Sequence, residues 1–121
     1  MTEWLAVFLG GGLGSLIRFA LSRWLGSHEN GFPLGTLAAN VLSCIVLGLA
    51  FGYFASRSHL SPALQRLILV GFCGGFSTFS TFSLESLSLI QNGQWLMALA
   101  YIMLSVISCL AILWVTTRIL T

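Results

Sequence analysis

The most informative run of residues in this chain lies at positions 71–83 and reads Gly71-Phe72-Cys73-Gly74-Gly75-Phe76-Ser77-Thr78-Phe79-Ser80-Thr81-Phe82-Ser83. It combines a glycine pair with alternating hydroxyls and aromatic rings inside an otherwise apolar segment. In a bilayer, backbone that leaves the helix is tolerated only where protein or a water-filled cavity surrounds it. The run therefore predicts a broken membrane helix beside a polar pathway, and a kinked, tightly packed helix is the alternative.

The composition of the chain indicates an integral membrane protein. Of its 121 residues 57% are hydrophobic and only 7% are charged, and the mean hydropathy is +0.97. So few charged residues cannot supply the surface of a soluble domain of this size. The net charge of +2 is also too sparse for binding nucleic acid, which needs cations clustered along one face.

Several kinds of site are disfavoured by the residue pattern. Cys44, Cys73 and Cys109 show no CxxC or Cys/His spacing, so we interpret them as buried thiols rather than a disulfide framework or a zinc site. The sequence has no Ser-His-Asp set, no paired carboxylates and no phosphate-binding glycine loop before a strand, and we expect no enzyme. The opening residues contain Glu3 and no basic residue, unlike a cleaved signal peptide.

Four apolar segments are long enough to cross the ~30 Å hydrocarbon core of a bilayer. They run over about residues 4–24, 33–54, 62–90 and 95–118, joined by short connections such as residues 26–32. Tryptophan favours the membrane interface and stands near both ends of the first and fourth segments, at Trp4, Trp24, Trp95 and Trp114. We expect a single all-α membrane domain over residues 1–121, with contact to lipid throughout.

The charges favour neither orientation in the membrane strongly. Four spans place Arg57, Arg66 and Arg118 on one side, against Arg23 on the other, with Arg18 deeper in the first span. Insertion in both orientations is therefore a hypothesis, and an antiparallel homodimer follows from it. Small residues spaced for close helix contact recur at three places, which are Gly10/Gly14, Gly48/Gly52 and Gly71/Gly75.

A broken third span would present different groups on its two sides. The end of the first half exposes carbonyl oxygens, which suit a small cation, and the start of the second exposes amide N–H groups, which suit an anion. Phenylalanines at positions 72, 76, 79 and 82 are spaced as one helix face. Packing is the ordinary explanation; alternatively, their positive ring edges face an anion. Such donors would hold an anion weakly enough for conduction.

Polar residues in the second and fourth spans are candidates for the same pathway. Asn40 either lines the pathway or ties helices together, because a buried amide needs partners. Tyr101, Ser105 and Ser108 fall at i, i+4 and i+7, which indicates a polar stripe on one helix face.

Two charged residues lie within spans and are functional candidates on that ground. Arg18 is about two turns from the end of its span, so its side chain either snorkels to the interface or has a functional role. Glu85 follows the hydroxyl and phenylalanine run by one turn, and we expect it to face an aqueous vestibule.

Three motifs occur in order along the chain, namely Gly10-Gly11-Gly12-Leu13-Gly14-Ser15-Leu16-Ile17-Arg18-Phe19, Gly35-Thr36-Leu37-Ala38-Ala39-Asn40 and the run at 71–83. They resemble the Fluc (CrcB) family of bacterial fluoride channels. The third motif is highly specific, and the resemblance covers essentially the whole chain, including its length and its four-span layout.

The resemblance implies a fluoride channel of the bacterial inner membrane, a dual-topology antiparallel homodimer with two pores that exports fluoride passively. Phe79 and Phe82 match paired pore phenylalanines whose ring edges approach fluoride. The implied pore positions are Asn40, Phe79, Ser80, Thr81, Phe82, Glu85, Tyr101 and Ser105. The resemblance also implies a structural sodium ion at the dimer centre, held by the backbone carbonyls of Gly74 and Ser77.

Two differences from the family pattern bear on these expectations. Ser77 stands where threonine is usual, and Cys109 occupies a fourth-span position that can be serine. The alternative function is a small multidrug-type proton-coupled exporter, which also has four short spans. That class usually carries its embedded carboxylate in the middle of the first span, where this chain has Arg18, while Glu85 lies in the third.

Overall fold

A computed structural model describes residues 1–26 and 31–121, and every regular element in these ranges is helical. The connection predicted at 26–32 includes residues 27–30, which lie outside the described ranges. The elements are α1 (Thr2–Leu25), α2 (Leu34–Ala55), α3 (Pro62–Gln65), a π-helix (Arg66–Phe72), α4 (Cys73–Phe76), α5 (Phe79–Gln91) and α6 (Trp95–Leu120).

Four of the described helical segments are long and apolar enough to cross a membrane. They are Thr2–Leu25, Leu34–Ala55, Pro62–Gln91 and Trp95–Leu120, the third of which is built from α3, the π-helix, α4 and α5. Their ends agree with the predicted ends to within two residues. The prediction of a four-span helical membrane protein is confirmed.

Glycines allow α1 to lie directly against the first half of the third span. A β-carbon on Gly10 would approach the Phe72 amide nitrogen to 2.9 Å, and one on Gly14 would approach the Phe76 amide nitrogen to 2.7 Å. From the other side, a β-carbon on Gly71 would lie 2.8 Å from the Val7 carbonyl oxygen. Because these neighbours are backbone atoms, the contact tolerates no side chain, as predicted for two of the three glycine pairs.

The third glycine pair joins α2 to α6, which run parallel to each other. Gly48 contacts Thr116, and a β-carbon on Gly52 would lie 2.5 Å from the β-carbon of Leu120. The glycines thus let α2 and α6 approach closely along their second halves. The same parallel arrangement brings Asn40 and Ser105 to one groove in their first halves.

A tight turn connects α5 to α6. Gly93 has φ 78°, a left-handed conformation that favours glycine, and its N–H donates to the Ile90 carbonyl at 3.0 Å. The Gln94 N–H donates to the Leu89 carbonyl at 2.8 Å, which completes a Schellman motif. The turn packs α5 against α6, where Leu89 and Tyr101 form part of a small core.

Candidate functional site

The third span is broken at Ser77 and Thr78. Ser77 has φ −81° and ψ 158°, and Thr78 has φ −153° and ψ 120°, both extended. The Thr78 hydroxyl accepts a hydrogen bond from the Thr81 N–H at 3.2 Å and so caps the start of α5. The predicted break is therefore present, and it falls just after the glycine pair, which remains helical in α4.

Asn40 on α2 holds the broken backbone on both sides of one residue. Its amide oxygen accepts from the Thr78 N–H at 2.7 Å, and its amide nitrogen donates to the Thr78 carbonyl at 3.2 Å. These two bonds replace partners that Thr78 would have in a continuous helix. Asn40 also lines the groove described below, so it both ties helices together and borders the candidate pathway.

Arg18 secures the end of the first half of the span. Its Nε donates to the Gly75 carbonyl at 3.0 Å, and the Ser15 hydroxyl donates to the same oxygen at 3.5 Å. A cation at the carbonyl end of a helix is favourable because the helix dipole is negative there. Arg18 is thus bound to the break, and the snorkelling alternative does not describe its position.

Two carbonyls at the break lack the donors that a continuous helix would supply. Gly74 would accept from the Thr78 N–H, which instead donates to Asn40, and Ser77 would accept from the Thr81 N–H, which donates to the Thr78 hydroxyl. Gly74 is exposed on the surface of the subunit. These oxygens are therefore suited to accept a hard cation, which prefers oxygen ligands.

A hydrogen-bonded group joins α2, α5 and α6 further along the third span. The Thr36 hydroxyl donates to Glu85 Oε1 at 2.7 Å, and the Tyr101 hydroxyl donates to Glu85 Oε2 at 2.8 Å. Thr36 and Tyr101 are buried, while Glu85 is half-buried. Each carboxyl oxygen therefore has a donor from a different helix, which fixes the orientation of the Glu85 side chain.

Aromatic rings form a continuous series beside this group. The Phe79 and Phe82 ring centroids are 5.8 Å apart, and those of Phe82 and Tyr101 are 5.2 Å apart. Phe32 meets Tyr101 edge-on at 5.4 Å and 85°. Phe82 packs against the core around Tyr101, whereas the side chain of Phe79 stands at the subunit surface, 79% exposed. The two predicted pore phenylalanines thus differ in burial.

A groove of about 250 Å³ gathers many of the predicted site residues. Its lining consists of Asn40, Cys44, Ser77, Thr78, Phe79, Phe82, Ser105, Val106 and Cys109. The Ser105 side chain is only 5% exposed, and its hydroxyl has no hydrogen-bond partner among the described residues. A buried hydroxyl without a partner is costly, so this one is available to a bound group.

Other predicted residues lie next to the groove. Ser80 and Thr81 place their hydroxyls 3.3 Å and 3.2 Å from the Thr78 hydroxyl. Ser108 does not join the lining, because its hydroxyl bonds to the Leu104 carbonyl of its own helix at 2.5 Å. Sequence reasoning did not assign Thr36 a role, although its position one turn before Asn40 on the same helix face was a usable signal.

The fold and the site define a class: a four-span helical membrane protein with an interrupted helix beside a polar groove, as in ion pathways. A family model described as CrcB-like protein, Camphor Resistance (CrcB), matches residues 5–117. The chain belongs to this CrcB family.

Curated relatives carry a more specific description. The fluoride-specific ion channel FluC of Serratia proteamaculans is 47% identical over 105 residues, covering 87% of this chain and 83% of the relative. FluC of Hahella chejuensis is 50% identical over 105 residues, with 86% and 83% covered. FluC 1 of Yersinia pestis is 44% identical over 107 residues, with 88% and 84% covered. The similarity therefore extends over most of each protein.

Proposed function

We propose that this chain is a fluoride-selective channel of the bacterial inner membrane, through which fluoride leaves the cytoplasm down its electrochemical gradient. The proposal rests on membership of the CrcB family and on relatives named fluoride-specific ion channels that are 41–50% identical. The four spans agree with a multi-pass membrane protein. A channel for an inorganic anion needs no enzymatic machinery.

The observation that best supports anion passage is the Ser105 hydroxyl. It is buried in the groove beside Phe82 and has no acceptor among the described residues, so a passing anion can accept its hydrogen bond. The ring edges of Phe79 and Phe82 carry positive partial charge that also suits an anion. Fluoride, a small anion and a strong acceptor, fits this combination of one hydroxyl and two ring edges.

The arrangement of charge favours passage over tight binding. Arg18 donates through its Nε to the Gly75 carbonyl, so part of its donor capacity is already used by the protein. No Lys or Arg is among the residues that line the groove. Conduction requires an ion to be held weakly enough to leave, and hydroxyl and ring contacts meet that requirement better than an exposed guanidinium.

The groove is open on one side, and we propose that a second copy of the chain closes it. Phe79 belongs to the groove yet is 79% exposed, and the surface at Gly74 has open space where a β-carbon would stand. An antiparallel pair would cover both positions while using the same surface of each subunit. Insertion in both orientations, which the weak charge bias permits, is the source of such a pair.

The same pairing supports a structural sodium site. The Gly74 and Ser77 carbonyls have lost their helical donors, and two copies would bring four such oxygens to one place. Sodium would neutralise their partial negative charge and hold the two breaks together. Only backbone atoms are involved, so serine at position 77 serves as well as threonine.

The exporter alternative receives no support from the family assignment. Its chemistry requires a carboxylate that is free to exchange a proton and a cationic drug. Both carboxyl oxygens of Glu85 already accept hydrogen bonds, from Thr36 and Tyr101. Its position in the third span also differs from the central position in the first span that the exporter class uses.

Fluoride efflux from liposomes tests the proposed function. The purified protein is reconstituted into liposomes loaded with potassium fluoride, and a fluoride electrode records release when valinomycin is added to carry the balancing potassium. We expect rapid fluoride release and no chloride release from matched vesicles. Fluoride retention at the level of protein-free vesicles, or equal release of chloride, would overturn the proposal.

Isoleucine substitutions test the ring edges separately from the fold. Phe79→Ile and Phe82→Ile should each depress fluoride efflux while the protein still elutes as a dimer, since apolar volume is largely kept. Phe72→Ile is the matched control, because Phe72 pairs with Phe76 at 5.5 Å in the first half of the span and does not line the groove. Wild-type efflux from both pore variants would remove the ring-edge mechanism.

A further inference from the structure

Two cysteines form the next level of the groove beyond the candidate fluoride contacts. Cys44 lies one helical turn after Asn40 on α2, and Cys109 lies one turn after Ser105 on α6. Because α2 and α6 run parallel, these pairs form two successive levels across the groove. All four residues belong to its lining.

The two thiols face each other at this level. The Cys44 and Cys109 side chains lie within hydrogen-bonding distance, and both residues are half-buried. Cys73 is also near Cys44 but is 2% exposed and does not line the groove. The groove therefore presents a pair of thiols, with a third thiol nearby that is closed off from it.

A facing pair of thiols is a ligand set for soft metal ions. Thiolate sulfur selects Cu(I) among the first-row metals, and Ag(I) shares its softness and its preference for two sulfur ligands. We propose that Cys44 and Cys109 form a two-thiol site for a soft monovalent cation of the Cu(I) or Ag(I) type, and that the bound ion blocks the groove.

The chemistry of binding explains the block as well as the affinity. Two S–H bonds break, two sulfur–metal bonds form, and both protons pass to water without any change of oxidation state. One cation and two thiolates leave a net charge of −1 in the groove. In the low dielectric of a membrane protein, that charge repels an incoming anion in addition to occupying its path.

The metal site stands on the thiol geometry alone, whereas the block rests on the proposed fluoride function. The experiment therefore has two readouts on the same full-length protein in liposomes. Silver nitrate in chloride-free buffer is the probe, because silver fluoride is soluble. Fluoride efflux reports the block, and silver retained per subunit after desalting reports binding.

We expect silver to block wild-type efflux and to stay bound through desalting. Cys44→Ser and Cys109→Ser should each raise the silver concentration for half-block at least about ten-fold, since one of two ligands is lost. Cys73→Ser, which removes the nearby thiol outside the lining, should leave that concentration unchanged. Alanine substitutions at positions 44 and 109 carry the same expectation and serve if a serine variant is not recovered folded.

Three results would overturn the inference. They are wild-type silver sensitivity in either groove variant, relief of block by Cys73→Ser, and loss of silver from the wild type on desalting. If untreated protein passes no fluoride, the proposed function fails, and retained silver still decides the metal site. Retention in the wild type that either groove substitution abolishes then supports the site without the block.

Discussion

The two halves of the third span use the same membrane depth for opposite purposes. The first half, over residues 62–76, lies against α1 through glycines, with backbone touching backbone and no room for a side chain. The second half, α5, meets its neighbours through side chains, with hydroxyls, rings and a carboxyl group around a groove of about 250 Å³. The two extended residues between them mark the change.

This contrast shows how a small membrane protein can have a polar pathway and still hold together. Without a hydrophobic drive between helices in lipid, close packing of small residues supplies stability, and the first half provides it. The second half can then carry an unsatisfied hydroxyl and open space that would weaken a packing surface. Each prediction below separates these two roles, beginning with the largest expected effect.

Gly14→Ala should disrupt the packed half most severely. Its new methyl group would meet the Phe72 carbonyl and the Phe76 amide nitrogen, and neither backbone atom can move aside as a side chain would. We expect a loss of about 3 kcal/mol in stability, measured as thermal unfolding of the detergent-solubilised protein.

Gly12→Ala is the matched control on the same helix. A β-carbon there meets nothing within 4 Å, so alanine should be neutral or slightly stabilising through its better helix propensity. Equal destabilisation by the two substitutions would mean that helix propensity, and not close packing, explains the glycines of α1.

Asn40→Ala should affect both halves, because Asn40 bridges the break. Losing two hydrogen bonds to Thr78 should cost about 2 kcal/mol and reduce fluoride efflux strongly. Asn40→Asp keeps the acceptor for the Thr78 N–H but removes the donor to its carbonyl and adds negative charge. Efflux that survives in both variants would show that the break does not depend on this side chain.

Tyr101→Phe should touch only the polar half, and moderately. The ring contacts with Phe82 and Phe32 remain, while Glu85 loses one of its two donors, at a cost of about 1 kcal/mol. We expect a partial loss of efflux from a protein that is otherwise well folded. Tyr53→Phe, which removes an exposed tyrosine's hydroxyl, is the control and should change neither readout.

Glu3→Gln should have the smallest effect. Glu3 pairs with Arg66 at 3.5 Å across the contact between α1 and the third span, but both side chains are more than half exposed. An exposed ion pair contributes at most ~0.5 kcal/mol, so thermal unfolding should hardly change. A large shift would mean that charge, in addition to glycine packing, holds the first half of the span to α1.

The packed half could be predicted from sequence more fully than the polar half. Spans follow from the length of apolar segments, and the glycine pairs at four-residue spacing predict close contact whichever helix they meet. Gly74 and Gly75 suggested a weak helix, yet α4 continues through both of them. Gly75 serves contact with α1, and its small size there does not interrupt the helix.

The polar half depends on partners distant in sequence. Asn40 and Thr78 are 38 residues apart, and Thr36 meets Glu85 across 49, so no local pattern reveals either contact. The residue types were identified as candidates because polar groups in a membrane need partners. Which partners they have, and that Arg18 binds the Gly75 carbonyl, required the packed helices.

The π-helix at Arg66–Phe72 makes the third span sensitive to the number of its residues as well as to their kind. Its backbone bonds reach one residue further than in an α-helix, so the segment accommodates a surplus residue. Deleting one residue there would turn everything that follows by about 100°. Gly75 would leave α1, and Thr78 would point away from Asn40, although every residue of the site would still be present. Side-chain phase along this span is thus set upstream of the groove that uses it.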